Sequence, residues 1–442
     1  MKKNTYTVGI YTLGCKVNQY ESEAIAERFA AEGCSLCDPS ESCDLYVINT
    51  CTVTAESDRK ACQFIRRAIH KNPDALILVT GCLAQTQPER VAGIQGVDYV
   101  CGNADKTSVV SAAKELLYLG KKLTSPRIAV SAPDAFGFEK MTIRHFDRTR
   151  AYIKIEDGCE SKCTYCIIPK ARGSIRSKCP ADVIEEVRTL TENGCREVVL
   201  TGIETASYGK DLDGYSLADL LFEIDRIPNI GRVRLGSLDP SLMKPAFVER
   251  ITSLRSLAPH FHLSMQSGSD TVLARMKRKY NTKMALEGMA RLRAAIPDVQ
   301  FTTDMIVGFP GETEDEFQQT LSFVQKAGFF MIHVFPYSRR AGTEAYHMDG
   351  QIPEAIKHLR AKQLSAQQQK VREQILRAQI GRTVEVLPET RRNGFARGHT
   401  PNFTEVQFPL PDQCQNRLCS VVIENTDGVL CHGTLVNTEE KG

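Results

Sequence analysis

One short segment constrains this chain more than any other. It reads CESKCTYC and places Cys159, Cys163 and Cys166 close together. Clustered thiolates bind iron–sulfur centres, and a four-iron cluster normally takes four ligands. Three cysteines therefore leave one iron free for another molecule. The alternative is a zinc site, which needs a fourth Cys or His at similar spacing, and the nearest further cysteine is Cys179.

The segment stands at the start of a repeating β/α pattern. Helical stretches separate six strand candidates, namely AYIKIED, EVVLTGI, RVRLGSLD, HFHLSMQS, QFTTDMIVGFP and MIHVFPYS. Such alternation predicts a full or partial β/α barrel, whose active site lies at the carboxyl ends of the strands. The three cysteines directly follow the first strand, so we expect them at that face.

Residues 5–119 show a second, separate alternation of strands and helices. It predicts a parallel sheet with covering helices. Cys15, Cys51 and Cys82 each follow one of its strands, and the carboxyl ends of parallel strands meet at one edge of a sheet. We therefore expect these cysteines to form a second triad that their sequence spacing hides. Cys101 also ends a strand, but a small buried side chain is the favoured interpretation there.

After Gly381 the pattern changes to short strands with turn residues between them, typical of a small β-barrel. We therefore predict a mixed α/β chain in three parts. Residues 1–125 form a Rossmann-like parallel α/β domain, residues 145–378 a partial β/α (TIM-type) barrel, and residues 379–442 an all-β barrel. The Gly-, Pro- and Ser-containing stretch 120–145 is the predicted linker.

Composition bears on compartment and partners. The chain has 16 Cys in 442 residues, no apolar run of the ~18 residues that a membrane span needs, and no signal-peptide pattern at its start. We expect a cytoplasmic protein, no membrane partner, and cysteines that bind metal rather than a disulfide scaffold. The net charge is only +3, yet basic residues outnumber acidic ones locally in 140–178 and 354–398.

Several strings occur together in one order: TLGCKVNQYES, NTCTVT, GCLAQ, CESKCTYCIIPKARG, HLSMQSGSD and IVGFPGE. Together they closely resemble the methylthiotransferase family of radical S-adenosylmethionine (SAM) enzymes. The resemblance implies an auxiliary four-iron cluster on Cys15, Cys51 and Cys82, a radical SAM four-iron cluster on the other triad, and a C-terminal RNA-binding TRAM barrel. SAM would act both as radical source and as methyl donor.

The same resemblance implies residues for SAM binding. They lie between the cysteines or at strand ends of the barrel: Tyr165, Gly202, Glu204, Ser264, Gln266 and Ile306. Glu204 stands where the family varies.

The family has three branches, and TLGCKVNQYES looks like the one that modifies N6-threonylcarbamoyladenosine at position 37 of tRNA, 3′ of the anticodon. The branch that modifies isopentenyladenosine typically has Gln-Met-Asn after the first cysteine, where this chain has Lys16, Val17 and Asn18. The third branch modifies an aspartate of a ribosomal protein. A different class, a non-catalytic RNA-binding metalloprotein, predicts four ligands at each metal site, with Cys101 as the candidate fourth.

The reaction implied replaces the C2 hydrogen of adenine, which is not acidic, so a cofactor must carry the difficult step. An external electron donor is needed, and the sequence does not identify the sulfur donor.

The expected RNA partner is the tRNA anticodon stem-loop. In NGFARGHTPNF, aromatic and basic residues alternate, a pattern that suits stacking and phosphate contacts; a turn of the small barrel is the alternative. The predicted RNA contacts are Arg391, Arg392, Phe395, Arg397, His399 and Phe403. The segment RMKRKY at 275–280 is a further basic stretch that fits either an RNA contact or a solvated helix face.

Overall fold

The computed structural model describes residues 5–120, 122–146, 149–410 and 418–436. Its first sheet contains β1 (Thr7–Thr12), β2 (Ser35–Cys37), β3 (Leu45–Thr50), β4 (Leu76–Gly81), β5 (Tyr99–Cys101) and β6 (Arg127–Ala129). The strand order is β2-β1-β3-β4-β5-β6, and every pairing is parallel. All residues of β3 and β4 are buried, as expected for strands covered on both faces.

Helices cover both faces of this sheet: α1 (Lys16–Ala31), α2 (Ala55–Lys71), α3 (Cys82–Thr86), α4 (Pro88–Ala92) and α5 (Ser108–Leu119). One hydrophobic core lies on each face. Strand β6 extends the sheet beyond residue 125, and Met141 and Ile143 of the following segment are buried in the core of the central domain. The predicted domain boundaries stay a prediction.

The central strands are β7 (Ala151–Lys154), β8 (Glu156–Asp157), β9 (Arg176–Ser177), β10 (Glu197–Thr201), β11 (Arg232–Leu235), β12 (Ser237–Leu238), β13 (His260–Gln266), β14 (Gln300–Val307) and β15 (Met331–Pro336). Parallel sheets β11-β10-β7 and β12-β13-β14-β15 adjoin at Gly236, and β8 and β9 form a separate antiparallel pair. Within the described ranges β7 and β15 do not pair. The barrel is therefore partial, as predicted.

The helices of this domain are α6 (Ile168–Arg172), α7 (Pro180–Glu192), α8 (Leu217–Asp225), α9 (Pro245–Ile251), α10 (Asp270–Arg275), α11 (Thr282–Ala295), α12 (Glu314–Ala327) and α13 (Glu354–Arg377). Short 3-10 helices span Thr205–Ser207, Pro240–Leu242 and Glu344–Tyr346. Capping boxes begin α8 at Ser216 and α12 at Thr313; each satisfies backbone donors that a helix start leaves free. No helix in the described part of the chain is long and apolar enough to span a membrane.

The last domain is a closed barrel of β16 (Thr383–Arg392), β17 (Phe395–His399), β18 (Glu405–Pro409), β19 (Cys419–Thr426) and β20 (Cys431–Leu435), in the order β16-β17-β18-β20-β19. Residues 411–417 and 437–442 of the predicted domain lie outside the described residues. Four of these strands follow the sequence prediction, and β17 is additional. Asn393 and Gly394 both have positive φ, which matches the tight turn of a hairpin between β16 and β17. The mixed α/β fold class with a small all-β barrel is confirmed.

Candidate active site

The first triad occupies the loop between β8 and α6. Cys159, Cys163 and Cys166 line one cavity of about 170 Å³. The backbone amides of Ser161 and Ile168 donate to Cys159 Sγ and Cys166 Sγ, each over 3.4 Å. The loop therefore presents three sulfurs to one space and already directs hydrogen-bond donors at two of them.

Charged side chains flank these thiols. Arg278 Nη1 donates to Cys163 Sγ over 3.1 Å, and Nη2 of the same side chain donates to Asp239 Oδ2 over 3.1 Å. On the other side, the thiol of Cys159 donates to Glu204 Oε2 over 3.2 Å. Burial, with Glu204 adding to it, raises the pKa of Cys159 to about 12. A cation or cluster must therefore bind to hold this sulfur as a thiolate.

The structure brings most of the predicted SAM residues to this cavity. Tyr165, Glu204, Ser264 and Gln266 line it. Gln266 has a positive φ of 63°, an unusual backbone conformation of a kind that clusters at functional sites. Ile306 lines the adjoining cavity instead.

Gly202 lines neither cavity and packs on Glu156, whose Oε2 would lie 2.6 Å from an added Cβ. Glu156 Oε2 also accepts from the Glu204 amide over 2.8 Å. Gly202 thus permits the close approach that positions Glu204.

Sequence reasoning missed Arg278 and Asp239, two of the polar side chains in the cavity wall. Arg278 belongs to the segment RMKRKY, which fitted an RNA contact or a solvated helix face. Helix α10 ends at Arg275, whose guanidinium pairs with Glu316, and Arg278 then turns into the cavity. The signal in the sequence was present but ambiguous, since a basic stretch does not reveal which residue turns inward.

The second triad is assembled by three strand ends of the first sheet. Cys15 precedes α1, Cys51 follows β3, and Cys82 opens α3. The backbones approach so closely that a Cβ on Gly14, which has φ +98°, would lie 2.6 Å from the Cβ of Cys51. Burial, with the neighbouring Cys82 and Cys15, raises the pKa of Cys51 to about 12. The three thiols therefore share one electrostatic environment.

Two further side chains contact the second triad at Cys82 Sγ. Arg172 Nε donates to this sulfur over 3.4 Å and Asn103 Nδ2 over 3.5 Å. Arg172 comes from the barrel domain, so this site is completed at the domain interface. Sequence reasoning missed both residues, because nothing in their own segments links them to Cys82.

A buried network of charges fixes that interface. Arg172 Nη1 lies 2.6 Å from Glu21 Oε1 and 3.2 Å from Asp157 Oδ2, and Lys154 Nζ lies 2.8 Å from each of these carboxylates. Lys106 pairs with Glu21 as well. Burial alone would raise the pKa of Glu21, yet Arg172 and the two lysines hold it well below its usual value. The network therefore ties the first sheet to the barrel through ionised groups.

The donor sets fit iron–sulfur clusters. Both sites offer three thiols, the soft donors that such clusters take, and in each site an arginine donates a hydrogen bond to one sulfur. In the described ranges no three His, Cys, Asp or Glu side chains are grouped to hold a single metal ion.

Three further cysteines of the first domain are accounted for by a hydrophobic core or a disulfide. Cys101 packs in a hydrophobic core of the first domain, where burial raises the pKa of its thiol to about 12. Cys37 and Cys43 form a disulfide, a pairing that the cysteine argument did not anticipate. The structure therefore does not support Cys101 as a fourth ligand of the second triad.

A second cavity lies beside the first, where the loop after Cys51 meets the barrel. It measures about 220 Å³ and is lined by Tyr165, Gln266 and Ile306 of the barrel and by Val53 and Thr54, which follow Cys51. Because Tyr165 and Gln266 line both cavities, the two spaces adjoin.

The loop after Cys51 is held against the barrel. Arg340 Nη1 donates to Asp58 Oδ2 over 2.8 Å, and its Nη2 bonds Thr52. The loop that carries one auxiliary cysteine therefore forms a wall of the space beside the first triad.

Four of the six predicted RNA contacts form one open surface on the small barrel. Arg391, Arg392, Phe395 and Arg397 line a depression of about 600 Å³. All four are exposed, with Arg391 Nη2 donating to the Leu410 carbonyl and Arg397 Nε to Gln407.

His399 and Phe403 lie outside this depression. The six predicted RNA contacts therefore do not form one surface. Phe403 stacks between His260 and His399, with ring centroids 4.5 and 4.6 Å away, and Arg234 lies over its ring. These aromatic contacts dock the small barrel on the base of the larger one. Both residues are partly exposed, and their role as RNA contacts stays a prediction.

Comparison with known protein families gives two matches. The model described as "Radical SAM superfamily" matches residues 153–324, and the model described as "Uncharacterized protein family UPF0004" matches residues 7–102. The first spans the barrel strands from β8 to β14 and the triad Cys159, Cys163 and Cys166. The second spans Cys15, Cys51 and Cys82.

Curated relatives match almost the whole chain. The threonylcarbamoyladenosine tRNA methylthiotransferase MtaB of Bacillus subtilis is 40% identical over 425 residues, covering 94% of this chain and 93% of the relative. The enzyme of the same name from Thermotoga maritima is 41% identical, covering 87% and 86%. The tRNA-2-methylthio-N(6)-dimethylallyladenosine synthase of Acetivibrio thermocellus is 35% identical, covering 98% and 92%.

Among solved structures, the radical S-adenosylmethionine methyltransferase TsrM of Kitasatospora setae, with cobalamin and a 4Fe-4S cluster bound, matches with a TM-score of 0.55. The identity is 15%, and 77% of each chain is covered. At this identity the likeness concerns the fold.

Proposed function

This chain belongs to the radical SAM tRNA methylthiotransferases, and we propose that it converts N6-threonylcarbamoyladenosine at position 37 of tRNA into its 2-methylthio derivative. The observation that carries the proposal is a three-thiol site on one cavity and, beside it, a second cavity walled by the loop that directly follows Cys51 of the other triad. A single triad suffices for radical formation, whereas insertion of sulfur calls for a second metal site facing the same substrate. Membership of this enzyme family argues against the alternative function, a non-catalytic RNA-binding metalloprotein.

The reaction replaces the C2–H of the adenine by C2–S–CH3. No side-chain base removes that hydrogen at neutral pH, because it is not acidic, so bound cofactors supply the chemistry. When bound, the two 4Fe-4S clusters and SAM supply the electron, the radical, the sulfur site and the methyl group. The protein's own groups bind, orient and enclose the reactants.

The chain assigns these tasks to particular residues. Cys159, Cys163 and Cys166 hold the radical SAM cluster, and Cys15, Cys51 and Cys82 hold the auxiliary cluster. Tyr165, Glu204, Ser264 and Gln266 enclose SAM beside the first cluster, with Ile306 in the adjoining wall. Arg278 donates a hydrogen bond to Cys163 Sγ and Arg172 donates one to Cys82 Sγ, so each arginine would orient one cysteine ligand and offset its charge.

The tRNA binds across the small barrel. Arg391, Arg392 and Arg397 supply positive charge for the phosphates of the anticodon stem-loop, and exposed Phe395 offers a stacking surface. An external electron donor and a sulfur donor complete the reaction. A tRNA substrate places the protein in the cytoplasm.

The test is nucleoside mass spectrometry. Anaerobically reconstituted protein is incubated with SAM, a chemical reductant, a sulfide source and tRNA that carries threonylcarbamoyladenosine. The expected product is 2-methylthio-N6-threonylcarbamoyladenosine, formed with loss of its precursor. Cys82→Ala serves as the control that retains the first triad. Conversion of isopentenyladenosine tRNA in place of this substrate would instead assign the chain to the dimethylallyl branch.

A further inference from the structure

The cavity of about 220 Å³ beside the first triad has a largely apolar wall. Both domains contribute to that wall: the barrel supplies Ile306, Phe335 and Pro336, and the loop after Cys51 supplies Val53. The volume lies below the ~300–1,000 Å³ typical of pockets for drug-sized ligands. A space of this size and polarity suits one flat ring system rather than a whole nucleotide with its phosphate.

Two of these apolar side chains are open to solvent. Phe335 is 44% exposed and Val53 is 53% exposed, whereas Phe301 and Phe309 of the same barrel domain are fully buried. Exposed apolar side chains that are scattered singly need no explanation, but a patch of them marks a binding site. Here two such side chains, from two domains, line one cavity.

Hydrogen bonds fix the distance between the two walls. The amide of Ala55, two residues after Val53, donates to Ser338 Oγ over 3.2 Å. On the barrel side, the amide of Tyr337, directly after β15, donates to the Val307 carbonyl over 2.9 Å. The cavity is therefore preformed, which lowers the entropic cost of placing a ligand in it.

The same cavity contains one carboxylate, that of Asp304 on β14. Its Oδ2 lies 3.2 Å from His262 Nε2, and His262 Nδ1 lies 2.9 Å from Thr302 Oγ1. Among the described residues, Asp304 Oδ1 accepts no hydrogen bond. An ionised carboxylate can only accept hydrogen bonds, so a ligand at this oxygen must bring a donor.

We propose that this cavity holds the adenine of position 37 outside the base stack, with Phe335 as its stacking surface and Asp304 as the acceptor for its N6–H. This inference rests on the proposed function. An enzyme that reacts at a base atom takes the base out of its stack, and bases of single-stranded RNA stack on aromatic side chains. Because Tyr165 and Gln266 line both cavities, a base held here lies next to the space beside the first triad.

The two contacts also orient the base. N6 and C2 lie on different edges of the purine, so a base held by Asp304 at N6–H leaves its C2 edge to face the rest of the wall. That wall includes Tyr165 and Gln266. The hydrogen and the substituent point to different sides of N6, so the carboxylate of the threonine is directed away from Asp304.

The test for Phe335 uses two labelled anticodon stem-loops: one carries N6-threonylcarbamoyladenosine at position 37, and the other lacks the base of that nucleotide. Fluorescence anisotropy measures their binding to the reconstituted holoenzyme. Phe335→Ala and Phe335→Leu should weaken binding of the intact stem-loop by about 5- to 100-fold, the range of one base–aromatic stack. Both variants should bind the abasic stem-loop within about 2-fold of the wild type. Phe335→Tyr keeps the ring and should bind both as the wild type does.

The matched control is Phe136→Ala, because Phe136 is 54% exposed and lines neither cavity. It should bind both stem-loops as the wild type does. Iron content and SAM cleavage are measured in every variant and should equal those of the wild type. If Phe335→Ala does not fold, Phe335→Leu decides the question, since it keeps an apolar side chain and removes only the ring.

The test for Asp304 compares the same intact stem-loop with its N6-methyl derivative, which has no N6–H. The wild type should prefer the N6–H form by about 10- to 100-fold, the range of one hydrogen bond to a charged group. Asp304→Ala should bind the two forms alike. A preference that survives in Asp304→Ala would remove Asp304 from the site.

Wild-type binding of the intact stem-loop by Phe335→Ala and Phe335→Leu would overturn the inference, and so would an equal loss with the abasic stem-loop. The proposed function fails separately: in that case the wild type binds the intact stem-loop and forms no methylthio product. A wild type that forms the product, with Phe335→Leu equally active and equally tight in binding, retains the function and loses only this assignment of the cavity.

Discussion

The two cysteine triads are built in opposite ways. Cys159, Cys163 and Cys166 come from one loop, are partly exposed, and lie within eight residues of one another. Cys15, Cys51 and Cys82 come from three strand ends, and two of them are buried. A loop can present ligands by local spacing alone. A site made from strand ends depends on sheet order, on close backbone approach at Gly14, and on Arg172 from another domain.

This difference indicates which substitutions would disrupt each cysteine triad. The first triad depends on its own loop and on Arg278. The second depends on the interface network around Glu21, so a change far from its cysteines can disturb it. The predictions below separate the two sites by that criterion.

Loss of one cysteine from each triad has the largest expected effect. Cys163→Ala and Cys82→Ala should each abolish the methylthio product and each retain about half of the iron, because the clusters have separate ligands. Only Cys82→Ala should still cleave SAM. Iron analysis and detection of 5′-deoxyadenosine check this. Loss of all iron in either variant would show that the sites are not independent.

Arg172→Met should destabilise the fold by about 3–5 kcal/mol, because it breaks buried ion pairs and removes the guanidinium that bridges Glu21 and Asp157. Iron should be lost from the second site and retained at the first. Urea denaturation and iron content measure the two effects. The control is Arg188→Met, at a pair with Glu185 whose side chains are 49% and 68% exposed; it should change stability by no more than about 0.5 kcal/mol.

Arg278→Met should leave the second site intact and act on the first. Loss of the donor to Cys163 Sγ should lower SAM cleavage by about 10- to 100-fold, the usual cost of removing a side chain that supports a metal ligand. The assay is 5′-deoxyadenosine formation under reductant. Lys277→Met is its neighbouring control, since Lys277 forms an exposed pair with Glu344. Equal losses in the two variants would contradict a specific role.

Cys101→Ala should have the smallest effect. Both clusters should keep their full iron, and stability should fall by about 1 kcal/mol as one small buried group is removed. Iron content and urea denaturation test this. Loss of one whole cluster would make Cys101 a fourth ligand and would overturn the three-ligand interpretation of the second site.

The sequence identified much of the fold because its periodicities are local. Strand–helix alternation predicted both α/β domains. The position of the first triad followed from its place in the sequence, directly after the first barrel strand. The hairpin strand β17 was missed, although Asn393 and Gly394 are a strong turn signal, since the surrounding residues were interpreted as an RNA-binding loop. His399 and Phe403 were assigned to RNA for the same reason, yet they pack against the barrel.

The sequence by itself determined the chemistry of this protein: six cysteines at strand ends or in one loop, in an order typical of one family. Thiol spacing and strand periodicity are properties of short segments, so they can be recognised without coordinates. The tertiary structure alone decided which distant charges meet those thiols. Arg172 reaches Cys82 and Arg278 reaches Cys163, because domain packing and not sequence separation sets the distance between these groups.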